Sequence, residues 1–210
     1  MTLREKYKPK SLSEIIYPNS ATQRRINAYA SGNLSGNIVF HGSNGTGKSS
    51  AADLLPYAIA GKSAYVETES LDEMMKKDDI KQYIKSTVNM ARLTGQKYFL
   101  VIHEMDNVKG RMDKLWTALD DVAGEVTLIV TTNEPAKLHK SLLSRCKLIE
   151  FPAISPAAFL PVAQQVLKGE GVLLSDIEVL KSLNVYKHLG DMRRYFEVLE
   201  DLVLLSNDAK

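Results

Sequence analysis

An α/β fold, a mostly parallel sheet with helices on both faces followed by a small all-helical domain, is what this 210-residue sequence predicts. Three observations point there. Short apolar runs alternate with stretches of helical periodicity over most of the chain, the pattern of successive strand–helix–strand units. A glycine-rich octapeptide sits between the first apolar run and a helix-forming stretch. Beyond residue 151 the alternation stops and only helical spacing remains.

The strands are expected at residues 38–40, 64–66, 98–102, 126–130 and 148–151, each a compact apolar run of the kind that is buried on both faces of a parallel sheet. Residues 50–55 continue the octapeptide with helix formers. Over 71–93, Ile80, Ile84, Val88 and Ala91 recur at helical spacing, while Lys77, Lys81 and Lys85 form a second stripe expected on the same helix. Tracking of a phosphate backbone and a solvated helix face beside Asp78 and Asp79 both account for these lysines, the second more simply, so they enter no site. From Pro152 the character changes. Pro156 and Pro161 punctuate a helical start, and Ile177, Val179, Leu180 and Leu183, then Tyr195, Val198, Leu199, Leu202 and Leu205, form apolar stripes. The expected division is a nucleotide-binding core over 1–151 and a helical lid over 152–210.

Composition narrows the function classes. With 44% hydrophobic residues the chain can bury a sizeable core. A net charge of +2 gives no global basic field, so nucleic-acid contact would need local clustering or assembly with other subunits. A single cysteine, Cys146, excludes an intramolecular disulfide framework; with no N-terminal signal-like segment, a reducing cytoplasmic setting is expected. No stretch approaches the ~20 apolar residues that cross a bilayer, so no membrane role is expected.

The octapeptide carries the chemistry. Gly42-Ser43-Asn44-Gly45-Thr46-Gly47-Lys48-Ser49 is the complete G-x-x-x-x-G-K-[ST] phosphate-binding pattern. Its glycines let backbone N–H groups turn inward around a triphosphate, Lys48 brings positive charge toward the β- and γ-phosphates, and Ser49 offers a hydroxyl to Mg²⁺. Ser50 follows at the start of the helix, whose N-terminal N–H groups and dipole favour an anion. ATP and Mg²⁺ are the cofactors this pattern calls for. Hydrolysis also needs a carboxylate for the attacking water and cationic groups for developing charge. The run 98–102 ends in His103-Glu104, so Glu104 is expected at the C-terminal edge of the sheet as the catalytic base. The run 126–130 ends in Thr131-Thr132-Asn133, which places an amide at the same edge.

Together the phosphate loop, the acidic strand end, Thr132-Asn133-Glu134-Pro135, Ser141-Leu142-Leu143-Ser144-Arg145-Cys146 and Gly190-Asp191-Met192-Arg193-Arg194 resemble the AAA+ ATPases, specifically the clamp-loader subunits of DNA replication of the replication factor C small-subunit type. The opening Glu5-Lys6-Tyr7-Lys8-Pro9 is similar to that family's E-K-Y-R-P start, which packs near the adenine. The resemblance implies a P-loop AAA+ parallel-sheet core with a small all-helical lid. It further implies that Asn133 is the first sensor of the γ-phosphate, Arg193 the second sensor reaching from the lid, and Arg145 a finger inserted into a neighbouring subunit's nucleotide. The implied partners are other clamp-loader subunits in a homo- or hetero-oligomer, a sliding clamp and primer-template DNA. The implied activity is ATP hydrolysis at subunit interfaces to load the clamp.

Three departures qualify the resemblance. The family's acidic strand ends in Asp-Glu, but here the first position is His103, and imidazole is a poor ligand for Mg²⁺. Compensation by Asp106 or a water, or weakened hydrolysis with binding retained, are the expectations; a core histidine without bearing on the site is the alternative. The helix after Glu104 carries Lys114-Leu115-Trp116-Thr117 where clamp loaders have paired arginines, so the DNA coupling is in question, with Lys109 and Arg111 as substitutes and Trp116 expected to pack rather than stack on bases. No collar domain is evident in the 210 residues, so ring formation through one is not expected from this segment. The alternatives are an ATP-binding but weakly hydrolysing structural subunit, and another AAA+ replication factor such as a helicase loader.

Overall fold

A computed structural model describes residues 1–105 and 113–208 of the chain. Five strands, β1 (Asn37–Gly42), β2 (Ala64–Ser70), β3 (Lys97–His103), β4 (Val126–Thr132) and β5 (Cys146–Phe151), form one sheet in the order β2-β3-β4-β1-β5. All neighbours pair in parallel, with registers such as Val39↔Val130, Val39↔Leu148 and Leu100↔Leu128. The predicted parallel α/β fold is therefore present, and each predicted apolar run lies within a strand.

Alternation along the strands builds two cores. In β3, Tyr98, Leu100 and Ile102 join one cluster with Val39, Leu128 and Val130, while Phe99 and Val101 join another with Ile38, Phe40 and Ile129. These are the two faces of the sheet. The first is covered by α4 (Leu71–Lys76), α5 (Ile80–Leu93) and α6 (Asp113–Asp121), through Met74, Ile84, Val88, Leu115 and Trp116; the second by α2 (Ser20–Ala30) and α3 (Lys48–Ala60), through Ile26, Tyr29, Ala51, Ala52 and Leu55. Burying a side chain the size of Phe40, Leu55 or Ile84 stabilises the fold by about 1.5–3 kcal/mol each.

Residues 71–93 do not form the single helix expected. Lys77 has an extended backbone (φ −67°, ψ 128°), and the Asp79 side chain accepts a hydrogen bond from the Gln82 amide, starting α5 afresh. Asp at an N-cap satisfies an otherwise unpaired amide, which outweighs continuing the helix through Asp78-Asp79. Lys77 therefore does not share a helix with Lys81 and Lys85. It stacks over the Tyr83 ring at 3.9 Å and pairs with Glu69, whereas Lys81 and Lys85 both pair with Asp121 on α6. The lysine stripe is occupied by intramolecular partners.

A third cluster gathers α8 (Pro156–Gly169), α9 (Asp176–Leu183) and α10 (Met192–Asp208) around Phe159, Val166, Leu183, Tyr195 and Leu199. Pro156 occupies the first turn of α8, where no N–H is needed, and Ser175 with Glu178 forms a capping box on α9. Two residues of the predicted stripes do not face this core: Ile177 and Leu205 are exposed. Helices as short as α9 bury only the narrow face that meets their neighbours.

The N-terminal segment, which carries α1 (Leu3–Lys6), ties the sheet to the helical group. Ile15 is buried in the second cluster, while Leu3, Tyr7 and Ile16 pack against the third. The Leu3 amide donates to Glu200 Oε1 at 2.9 Å, and Tyr7 Oη and Lys6 Nζ both donate to Glu170 Oε1 at 2.7 Å. Among the described residues no helix is long and apolar enough to cross a membrane.

Candidate nucleotide site

The strand order reverses beside β1, since the chain leaves it for β2 at the far edge and later returns β4 and β5 to its two sides. In open α/β sheets the crevice at the carboxyl ends of the strands at such a point is where ligands bind. A cavity of about 420 Å³ opens there. It is lined by Asn44 to Ser50 of the loop, Asp53, Glu104, Thr131, Thr132 and Asn133 at the strand ends, Met192, Arg193 and Phe196 of α10, and Arg4, Tyr7, Lys8 and Ile16 of the N-terminal segment. Glu104, Asn133, Arg193 and the loop residues 44–50, expected from the sequence, thus converge on one cavity.

Gly42 and Ser43, also expected in the phosphate loop, do not line it. Their carbonyls instead receive the Lys48 ammonium, at 2.9 Å from Gly42 O and 2.5 Å from Ser43 O. Gly42 has φ +129°, and a Cβ there would run into the Phe151 backbone of β5. Its role is close packing of the loop base against the sheet. Gly45 and Gly47 also have positive φ, and Gly47 supplies the turn from loop into α3. The Gly45 carbonyl accepts from the Met192 amide at 3.0 Å, and a Cβ on Gly45 would overlap the Asp191 carboxylate, so the loop and the start of α10 touch directly.

Glu104 has φ +53°, the one positive φ on a non-glycine residue among the described residues. Non-glycine residues held in the left-handed region are uncommon, and such conformations concentrate at functional sites. The Glu104 amide donates to Thr131 Oγ1 at 3.1 Å, so the end of β4 pins the turn. His103 is not an isolated core histidine. Its Nε2 lies 2.9 Å from Asp53 Oδ1 on α3, and its Nδ1 lies 3.4 Å from Thr131 Oγ1. Asp106, Lys109 and Arg111, named as possible compensating groups, lie outside the described residues. Burial, opposed by Glu150, holds His41 below the ordinary imidazole value, with the nearby Lys48 charge acting in the same direction as burial.

Asp53 and Thr131 were not among the expected site residues. Asp53 stands four residues after Ser49 on α3, the spacing that puts two side chains on one helix face, and this spacing was readable in the sequence. Thr131 was readable only as one of the polar residues that end the run 126–130; the fold shows it beside His103.

Arg145 does not reach this cavity. It ends α7 (Lys140–Arg145) and forms a two-point ion pair with Asp120 of α6, Nε to Oδ1 and Nη2 to Oδ2, both at 2.8 Å. Cys146 follows it, partly buried, and burial, opposed by the Arg145 charge, pushes its thiol up to about 12. Trp116 is buried in the first core cluster, which makes it a packing residue.

Residues 38–153 match the family described as the ATPase family associated with various cellular activities (AAA). The chain is 26% identical over 209 residues to the replication factor C small subunit of Methanocella arvoryzae, covering 97% of the chain and 64% of that protein. It is 26% identical over 203 residues to the probable replication factor C subunit 2 of Dictyostelium discoideum (93% and 59%), and 28% identical over 210 residues to the replication factor C large subunit of Halobacterium salinarum (94% and 42%). The chain thus spans less than two thirds of the length of these relatives. Among solved structures, a variant of Thermotoga maritima RuvB superposes with a TM-score of 0.70 at 16% identity, over 97% of the chain and 72% of RuvB. The FIGL-1 AAA domain superposes with a TM-score of 0.58 at 15% identity, over 76% and 60%. Both likenesses concern the fold.

Proposed function

The chain belongs to the AAA ATPase family, and from that premise we propose that it is a clamp-loader-type subunit that binds and hydrolyses ATP at a subunit interface to place a sliding clamp on primer-template DNA. The observation that carries this reading is the split of the candidate residues: the loop, Glu104, Asn133 and Arg193 share one cavity, while Arg145 stands outside it on the surface. An arginine that cannot serve its own site is suited to serve a neighbour's. The printed names of the relatives, subunits of replication factor C, support assembly with like subunits.

In this reading the backbone amides of Asn44 to Ser50 and the Lys48 ammonium take the phosphates, and Tyr7, Lys8 and Ile16 wall the adenine end. Glu104 accepts the proton of the attacking water, Asn133 orients that water against the γ-phosphate, and Arg193 senses the same phosphate from the helical lid. Mg²⁺ fits the donors present: the Ser49 hydroxyl and the carboxylates of Asp53 and Glu104 line one cavity, and hard oxygen ligands are what this ion takes. When bound it would neutralise charge on the β- and γ-phosphates. Residues 1–151 are assigned to the nucleotide-binding core and 152–210 to the lid, an assignment supported by the separate third hydrophobic cluster. A reducing, cytoplasm-like setting agrees with the lone cysteine.

His103 favours a slower enzyme. It replaces a carboxylate at the strand end and ties up one oxygen of Asp53, which supports slow turnover with nucleotide binding retained through the loop and Lys48. The test is steady-state hydrolysis by the assembled protein with and without a candidate clamp and primer-template DNA. Stimulation by both together is expected; stimulation by a helicase in place of the clamp would move the assignment to a helicase loader.

A further inference from the structure

Arg145 is held by three hydrogen bonds that use particular edges of its guanidinium. Asp120 takes Nε and Nη2, both at 2.8 Å, and the Ser141 carbonyl takes Nη1 at 3.0 Å. A planar guanidinium carries two forks, one along its side between Nε and Nη2 and one across its end between Nη1 and Nη2. The carboxylate occupies the side fork. These three bonds use three of the five N–H groups and leave one on Nη1 and the outer one on Nη2, on a side chain that keeps 41% of its surface exposed.

We propose that Asp120 is a positioning residue for Arg145, fixing the guanidinium so that its end fork is presented to the phosphates of a neighbouring subunit's nucleotide. The inference rests on the reading of Arg145 as a finger acting in trans, and adds how that finger is aimed. A long arginine side chain on a surface loses much conformational freedom when it must meet a phosphate in one geometry. Prior anchoring at two points by Asp120 and a third by Ser141 places that loss in the folded subunit, ahead of docking. A carboxylate that merely parked the arginine would compete for the phosphate-reading edge, whereas this one leaves that edge open. α6 and α7 thereby act as one rigid mount, with the acid on one helix and the base on the other.

The test uses the assembled ATPase reconstituted from two populations of the chain. The acceptor carries Arg145→Ala and supplies only a nucleotide site. The donor carries Lys48→Ala and supplies only a finger. Adding Arg145→Ala to the donor is expected to lower kcat at the mixed interface a hundredfold or more. Adding Asp120→Ala to the donor is expected to lower kcat about tenfold, with KM for ATP unchanged; Asp120→Asn, which keeps the shape but not the charge, should fall between. The donor lacking both Arg145 and Asp120 should match the donor lacking Arg145 alone, because Asp120 acts through the arginine. Alanine is a good helix former, so the Asp120→Ala donor is expected to fold, and its melting temperature and assembly are measured alongside. If the Arg145→Ala donor is as active as its parent, the trans-finger reading itself fails. If that donor is impaired but Asp120→Ala leaves kcat unchanged or raises it, or if the two losses add, the positioning role is overturned while the finger stands.

Discussion

At the scale of single residues, the exchange at position 103 has the clearest chemical consequence. The imidazole bridges Asp53 on the loop helix and Thr131 on β4, so it cross-links two elements that border the cavity. His103→Asp restores an oxygen donor at the strand end but sets a carboxylate against Asp53. Faster hydrolysis of ATP is expected where the metal was limiting, together with a lower melting temperature from the like-charge contact; no gain in rate would remove the metal-deficit explanation. Burial makes a second residue testable. With its thiol pushed up to about 12, Cys146 carries almost no thiolate at neutral pH and should react slowly with iodoacetamide in the folded protein and readily after denaturation. Rapid alkylation of the native chain would contradict the packing around β5. Sequence alone pointed to Glu104, Asn133 and the loop residues 44–50, which share one cavity, because each stands at a break between an apolar run and polar residues. The spacing from Ser49 was there to mark Asp53, but its contact with His103, from a strand fifty residues later, is seen only in the fold.

At the scale of elements, the glycine-rich loop and the start of α10 are joined directly. Asp191 caps α10, its Oδ1 accepting from the Arg193 amide at 2.8 Å, and the same carboxylate lies against Gly45. Asp191→Ala should lower stability by about 1 kcal/mol, read as a shift in the denaturation midpoint, while Asp191→Asn, which can still cap, should cost much less. Equal losses would show that charge rather than capping matters there. Gly45→Ala meets both a positive φ and the Asp191 side chain, so loss of nucleotide binding is expected, measured by titration with a fluorescent adenine nucleotide. The strands were legible in the sequence because parallel strands buried on both faces are continuous apolar runs. The helix over 71–93 was misread as continuous because the local capping by Asp79 competes with periodicity that runs on either side of it.

At the scale of the whole molecule, two tyrosines on the first face of the sheet set an alkaline limit. Tyr98 and Tyr83 donate to the two oxygens of Glu67, and both are held well above the usual phenol range, first by burial and then by that carboxylate. A phenol whose value is raised on folding adds stability that is complete below its unfolded value and lost as pH rises, because above about 10 the unfolded chain releases a proton that the folded chain keeps. Stability should therefore fall by up to about 1.4 kcal/mol per pH unit for each such group above pH 10. The Tyr98→Phe protein should show a shallower decline in urea midpoint over that range; an identical slope would place the effect elsewhere. Saturating ATP should act in the opposite sense, adding about 2.7 kcal/mol at a hundredfold excess over Kd, and the increment should vanish in Lys48→Ala.

The strap that joins Leu3 to Glu200 and Tyr7 to Glu170 also has a bearing on the order of folding, because its partners stand 197 and 163 residues apart in the sequence. Contacts of such separation carry a large loop-closure entropy and form after the local ones. Arg4, Tyr7 and Lys8 form one wall of the cavity, so that wall is completed only once the third cluster has offered its carboxylates. In refolding, closure of the cavity should therefore trail the pairing of the strands.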